Sequence, residues 1–119
     1  MSKRRRIIEL RDYLNDMLEM IADIGEFTKS LTIEEFKKDK KAVYAVIRCL
    51  EVIGEASKQI PSKIKKHHEQ IPWEDIEAMR NKLIHEYFGA DVEIVWQTIQ
   101  EDLRPLESVI EEIKKVLTD

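Results

Sequence analysis

Apolar residues recur along this chain at alternating steps of three and four, with polar positions filling the gaps. Ile7, Leu10, Leu14, Met17, Ile21 and Ile24 form one such heptad stripe and predict a long amphipathic helix reaching about Phe27. Thr28-Lys29-Ser30 breaks the stripe. Thr32-Ile33-Glu34-Glu35 then reads as a capping box, in which a hydroxyl and a carboxylate satisfy the free amides of a helix start. A short helix should begin there and run into, or hinge onto, a longer one. Val43, Val46, Ile47, Leu50, Ile53 and Ile60 mark that second long helix, which Pro61 ends. Residues 62–70 look basic and irregular. Pro72-Trp73-Glu74-Asp75 suits a third helix opening, with Trp73, Ile76, Met79 and Leu83 on its apolar face and Gly89 as its stop. Asp91 can cap a last helix whose stripe is Val92, Trp96, Ile99, Leu103, Leu106, Ile110, Ile113 and Leu117, kinked near Glu101 by Pro105. No strand alternation occurs. The pattern predicts an all-α chain: an antiparallel four-helix bundle with one or two extra short helices. The strict stripes of the first and last helices also allow a coiled-coil-like seam, within the chain or between protomers.

The chain's 119 residues suit one domain, 1–119, with a core of its own. No apolar run approaches the ~20 residues of a membrane span. The basic start, Met1 to Arg6, leads into an acidic amphipathic stretch rather than a signal core, so the expected location is the cytoplasm, away from membranes. A lone Cys49, expected to be a small inert helix residue, excludes an internal disulfide or cysteine-based zinc site. Adjacent His67 and His68 point ~100° apart on a helix and cannot chelate one metal from a shared face. Mid-helix Gly54 costs ~1 kcal/mol relative to Ala, which suggests close approach of another helix or a ligand. The net charge of −4 hides a split: residues 1–68 carry 15 Lys and Arg against 11 Asp and Glu, residues 69–119 carry 5 against 13. Basic clusters at Lys3–Arg6, Lys37–Lys41 and Lys63–Lys66 are either solvated helix ends or a track for a polyanion.

Arg80-Asn81-Lys82-Leu83-Ile84-His85, followed by Tyr87, gathers the parts of a phosphate-handling site. Arginine offers a permanent charge with a planar donor fork, and histidine exchanges a proton near neutral pH. On an ideal helix Arg80 and His85 lie ~140° apart, whereas Arg80 and Tyr87 are offset by only ~20°. A shared site therefore needs the helix to end or distort near Ile84, or a second protomer to complete it. The plain structural alternative has Arg80 paired with a carboxylate and His85 at a helix end.

Together with Ile53-Gly54-Glu55-Ala56, Ile71-Pro72-Trp73, Val95-Trp96 and Asp102-Leu103, the Met79-Arg80-Asn81-x-x-Ile84-His85-x-Tyr87-Phe88 run resembles the HepT-like branch of the HEPN domains. The resemblance spans about residues 5–117 and implies a HEPN-like bundle acting as a metal-independent ribonuclease toxin without cofactor. It also implies a homodimer with its sites in the intersubunit cleft, and a nucleotidyltransferase antitoxin that transfers AMP to the motif tyrosine. Carried over by residue, His85 is the acid/base, Arg80 the phosphate ligand, Asn81 an assisting substrate contact and Tyr87 the AMP acceptor. The chemistry is self-consistent, because RNA brings its own 2′-OH nucleophile and requires only proton transfer and charge stabilisation. A non-catalytic module presenting Arg80 to a nucleotide phosphate beside a nucleotidyltransferase stays open, although such a binder has no need of His85. A purely structural dimer leaves the motif unexplained.

Overall fold

A computed structural model describes residues 2–78 and 92–117. Among them every regular element is helical. In chain order these are α1 (Lys3–Thr28), α2 (Ile33–Lys38), α3 (Lys40–Ser57) and α4 (Ser62–Lys65), then a 3-10 turn (Lys66–His68), helical residues 73–78 (α5), α6 (Val92–Glu101) and α7 (Leu103–Val116).

Local chemistry sets the boundaries. Ser2 Oγ accepts from the Arg5 amide at 3.1 Å and starts α1. After Thr28 the chain turns through Ser30 at φ 66°, the left-handed region glycine normally occupies at helix ends. The predicted capping box forms, with Thr32 Oγ1 accepting from the Glu35 amide at 3.2 Å and Glu35 Oε1 from the Thr32 amide at 3.0 Å. Asp39 separates α2 from α3 and caps the latter by accepting from the Ala42 amide at 3.0 Å. The long second helix ends at Ser57, three residues earlier than Ile60 in the expected stripe. Ile60 is nevertheless buried in the following turn. The 62–70 stretch is more ordered than its composition suggests, because α4 and the 3-10 turn occupy most of it. Pro105 breaks the last helix into two. It cannot donate to the Glu101 carbonyl and its ring crowds that oxygen, so α6 stops at Glu101 and α7 restarts at Leu103.

α1 packs most extensively on α3 and also on α7, while α2 touches both α3 and α6. Both neighbours of α1 run antiparallel to it. The start of α1 shares a groove with Gln59, Pro61 and Leu117, and its end shares another with Ile99 and Leu103. Arg11 Nη2 donates to the Leu117 carbonyl at 3.0 Å, tying the end of α7 to α1. Leu14, Met17, Phe36, Val46, Ile110 and Ile113 are fully enclosed. The stripes of α1 and α7 are thus consumed within one chain, and the seam they allowed is internal. Gly54 is buried in α3, and the buried Ser57 hydroxyl is satisfied by donating to the Gly54 carbonyl at 2.9 Å. No helix among the described residues is long and apolar enough to cross a membrane.

Candidate functional site

Arg80, Asn81, His85 and Tyr87 lie outside the described residues, as do Met79, Leu83, Gly89 and Asp91. The structure shows how the chain is held on either side of this motif.

Upstream, Trp73 is 8% exposed and its indole Nε1 donates to the His68 carbonyl at 3.0 Å. Lys65 Nζ stands 5.7 Å from the Trp73 ring centroid and pairs with Glu77 at 2.8 Å, both side chains being largely covered. Ile76 is buried beside them in the core. The start of α5 is therefore fixed by a buried indole, a hydrogen bond and an ion pair. His68 takes part through its backbone oxygen, and His67 is exposed.

Downstream, Phe36 of α2 meets Trp96 of α6 with ring centroids 5.2 Å apart and planes tilted by 43°. Val95 is buried, and Lys37 reaches Glu93 at 2.6 Å. The hydrogen bond from Lys37, reinforced by its charge, holds the Glu93 carboxyl below its ordinary value. No stripe predicted Phe36 or Val95. Phe36 falls in a six-residue helix too short for a period to emerge, and its three-residue spacing from Ile33 was the one available hint. At the α6–α7 break, burial pushes the Asp102 carboxyl up, and the charges of Glu101 and Asp75 add to the effect.

The basic clusters separate. Lys37 is engaged by Glu93 and, at 4.0 Å, by Glu34. Lys3 and Arg6 instead share a groove with Lys63. Cys49 is buried; desolvation, then the charge of Asp23, raises its thiol pKa, as suits an inert packing residue. Among the described residues no group of three His, Cys, Asp or Glu side chains is arranged to hold a metal.

Comparison with known proteins decides the family. The "Ribonuclease HepT-like" family model matches residues 17–113, a span that includes both anchors and the whole motif between them. The chain belongs to the HepT-like ribonuclease family. Similar relatives agree. "Probable ribonuclease HepT" of Thermococcus cleftensis is 50% identical over 105 residues, 88% of this chain and 96% of the relative. "Putative RNase MJ1216" of Methanocaldococcus jannaschii is 44% identical over 107 residues, 90% of this chain and 88% of that one. A longer protein of the same organism, "Gamma-glutamylcyclotransferase and putative RNase MJ0434", is 38% identical over 93% of this chain but only 49% of its own length. No solved structure matches the chain. Within this HepT-like chain, α5 precedes the Arg80–Tyr87 segment in sequence and α6 follows it.

Proposed function

We propose that this chain is a metal-independent endoribonuclease, the toxin of a toxin–antitoxin pair. The observation that carries the proposal is Arg80-Asn81-x3-His85-x-Tyr87 lying inside the span matched by the ribonuclease family. His85 takes the proton of the ribose 2′-OH as its oxygen attacks the adjacent phosphorus. The bond to the 5′-oxygen breaks, that oxygen takes the proton back from the His85 imidazolium as it leaves, and a cyclic phosphate remains. Arg80 stabilises the charge on the phosphorane with its two-pronged donor, and Asn81 helps hold the phosphate. General acid–base and electrostatic contributions each supply ~10²-fold or more, so neither residue is dispensable. The test is incubation of pure protein with RNA in EDTA, wild type beside His85→Ala. Cleavage that survives EDTA and disappears in the variant is expected. Cleavage abolished by EDTA, or undiminished in His85→Ala, refutes the mechanism.

Three further parts belong to this reading. The residues 1–119 form one domain, supported by the longer relative in which a stretch of this size makes up about half the protein. The active form is a homodimer with the motif in a shared cleft. The family resemblance carries this dimer, since the apolar stripes are spent internally; a monomer by light scattering at micromolar concentration would count against it. A nucleotidyltransferase antitoxin silences the enzyme by placing AMP on Tyr87, whose added phosphate competes with RNA for Arg80. Tyr13 and Tyr44 are 38% and 51% exposed, so intact-mass and peptide mapping after co-expression is a real contest between three tyrosines. An adduct on Tyr13 or Tyr44 would refute the assignment.

A further inference from the structure

The α1 start, the α3–α4 junction and Leu117 at the end of α7 enclose a groove of about 590 Å³, within the range of small-ligand sites. Its floor is apolar, built from Ile7, Leu10, Ile64 and Leu117. Its rim carries Lys3, Arg6 and Lys63, all exposed, from two chain segments almost sixty residues apart. None of the three enters an ion pair among the described residues. The acid in the lining, Glu9, faces Arg5 at 3.6 Å. Tyr13, 38% exposed, presents an aromatic ring at the same groove. A second groove, beside Trp73, has the opposite character. Glu69, Glu74, Asp75 and Glu77 line it against Lys65, which is paired with Glu77, and Lys66. Among the described residues, cations outnumber acids at the first groove and acids outnumber cations at the second.

We infer that the α1/α3–α4 groove binds single-stranded RNA, with a base against Tyr13 and neighbouring phosphates on Lys3, Arg6 and Lys63. Cations ringing an apolar floor with an aromatic edge are the two requirements of such a site: charge for the backbone and a flat ring for a base. The occupant rests on the ribonuclease reading, which supplies RNA as the polyanion. The groove serves as a substrate-holding surface and contributes no reacting group.

The test measures fluorescence anisotropy with a single-stranded 2′-O-methyl oligonucleotide, which lacks the free hydroxyl needed for cleavage, while ordinary RNA reports cleavage separately. Joint substitution of Lys3, Arg6 and Lys63 by Ala should weaken binding more than about tenfold. It should also make the salt dependence of log affinity shallower by about 2, at ~0.7 for each single-strand phosphate contact. Tyr13→Ala should cost about tenfold and Tyr13→Phe almost nothing, with melting curves confirming the fold. The control replaces Lys38, Lys40 and Lys41, an equal loss of charge elsewhere, and should weaken binding far less. Equal effects of the two triple variants overturn the inference, as does a wild type that binds no RNA. Unchanged RNA affinity with loss of a co-purifying nucleotidyltransferase overturns it in favour of a protein interface. A wild type that fails to cut ordinary RNA, yet binds the oligonucleotide through these residues, removes the catalytic reading and leaves the groove standing.

Discussion

The Phe36–Trp96 contact links α2 to the helix that follows the motif, and its strength can be isolated. Phe36 is fully buried, whereas Trp96 is half-buried and tilted against it at 5.2 Å. Phe36→Leu keeps the site apolar but removes the ring. The lost ring–ring interaction costs ~0.5–1.5 kcal/mol. Imperfect refilling of the space adds about 1 kcal/mol. The sum is about 1.5–2.5 kcal/mol. A 119-residue domain unfolds with an entropy of ~0.25 kcal/mol/K, so each kcal/mol moves Tm by about 4 °C and the variant should melt about 6–10 °C lower. It stays folded at room temperature, because total stability for this length is ~6–18 kcal/mol.

The decisive measurement is a double-mutant cycle of Phe36→Leu, Trp96→Leu and the pair, by urea unfolding followed with far-UV circular dichroism. The two burial losses add, leaving a coupling of ~0.5–1.5 kcal/mol that belongs to the ring pair. Strict additivity within ~0.3 kcal/mol would show that the rings do not stabilise one another and would remove this contact as the downstream anchor.

Gly25 lies in α1, and a Cβ built there meets nothing within 4 Å. Gly25→Ala should therefore stabilise the protein by ~0.5–1 kcal/mol, read as a higher urea midpoint. Asp102 has a raised pKa because burial and the nearby acids disfavour its charge, so its ionised form costs stability above the folded pKa and nothing below the unfolded one. Asp102→Asn should raise Tm at pH 7, with the gain shrinking to zero as pH falls below ~4, the ordinary Asp value. Arg80→Lys keeps the charge but loses the fork, and cleavage should fall ~10–100-fold in single-turnover assays.

The sequence makes the large helices readable because a buried face on a long helix imposes a period. Leu10 to Ile24 and Leu103 to Ile113 are enclosed where their stripes place them. The capping box at Thr32 is also legible, since its signal is two side chains at a fixed offset. Three features escape such reading. Phe36 is buried through tertiary contact with another helix. Residues 62–68 fold into short turns stabilised by their neighbours, Trp73 and Glu77, rather than by their own composition. Pro105 was visible as a kink near Glu101, and the structure shows two helices meeting at Asp102. For the candidate site, the sequence supplies residue types and spacing, and the structure supplies the anchored helices on either side. The meeting of Lys3, Arg6 and Lys63 was beyond any spacing argument, because their segments adjoin only through the antiparallel pairing of α1 with α3.

Charge placement gives the approach of RNA a direction. A chain of net charge −4 repels a polyanion on average, so productive encounters must enter where cations stand unneutralised. Among the described residues the rim beside Trp73 is acidic, and Asp75 adds its charge to that of Asp102 near the α6–α7 break. The start of α1 and Lys63 offer three cations around an open groove. Steering of this kind acts over a Debye length, ~10 Å at 0.1 M salt, and fades as salt rises. Cleavage of long RNA should therefore slow with salt chiefly through kcat/KM, while the rate at saturating RNA changes little. A dinucleotide, whose single phosphate is the one cleaved and leaves none for the α1 groove, should show a weaker salt response. Equal salt responses for the long and short substrates would mean that the field around the reacting phosphate alone attracts RNA, and that the α1 groove contributes nothing to its capture.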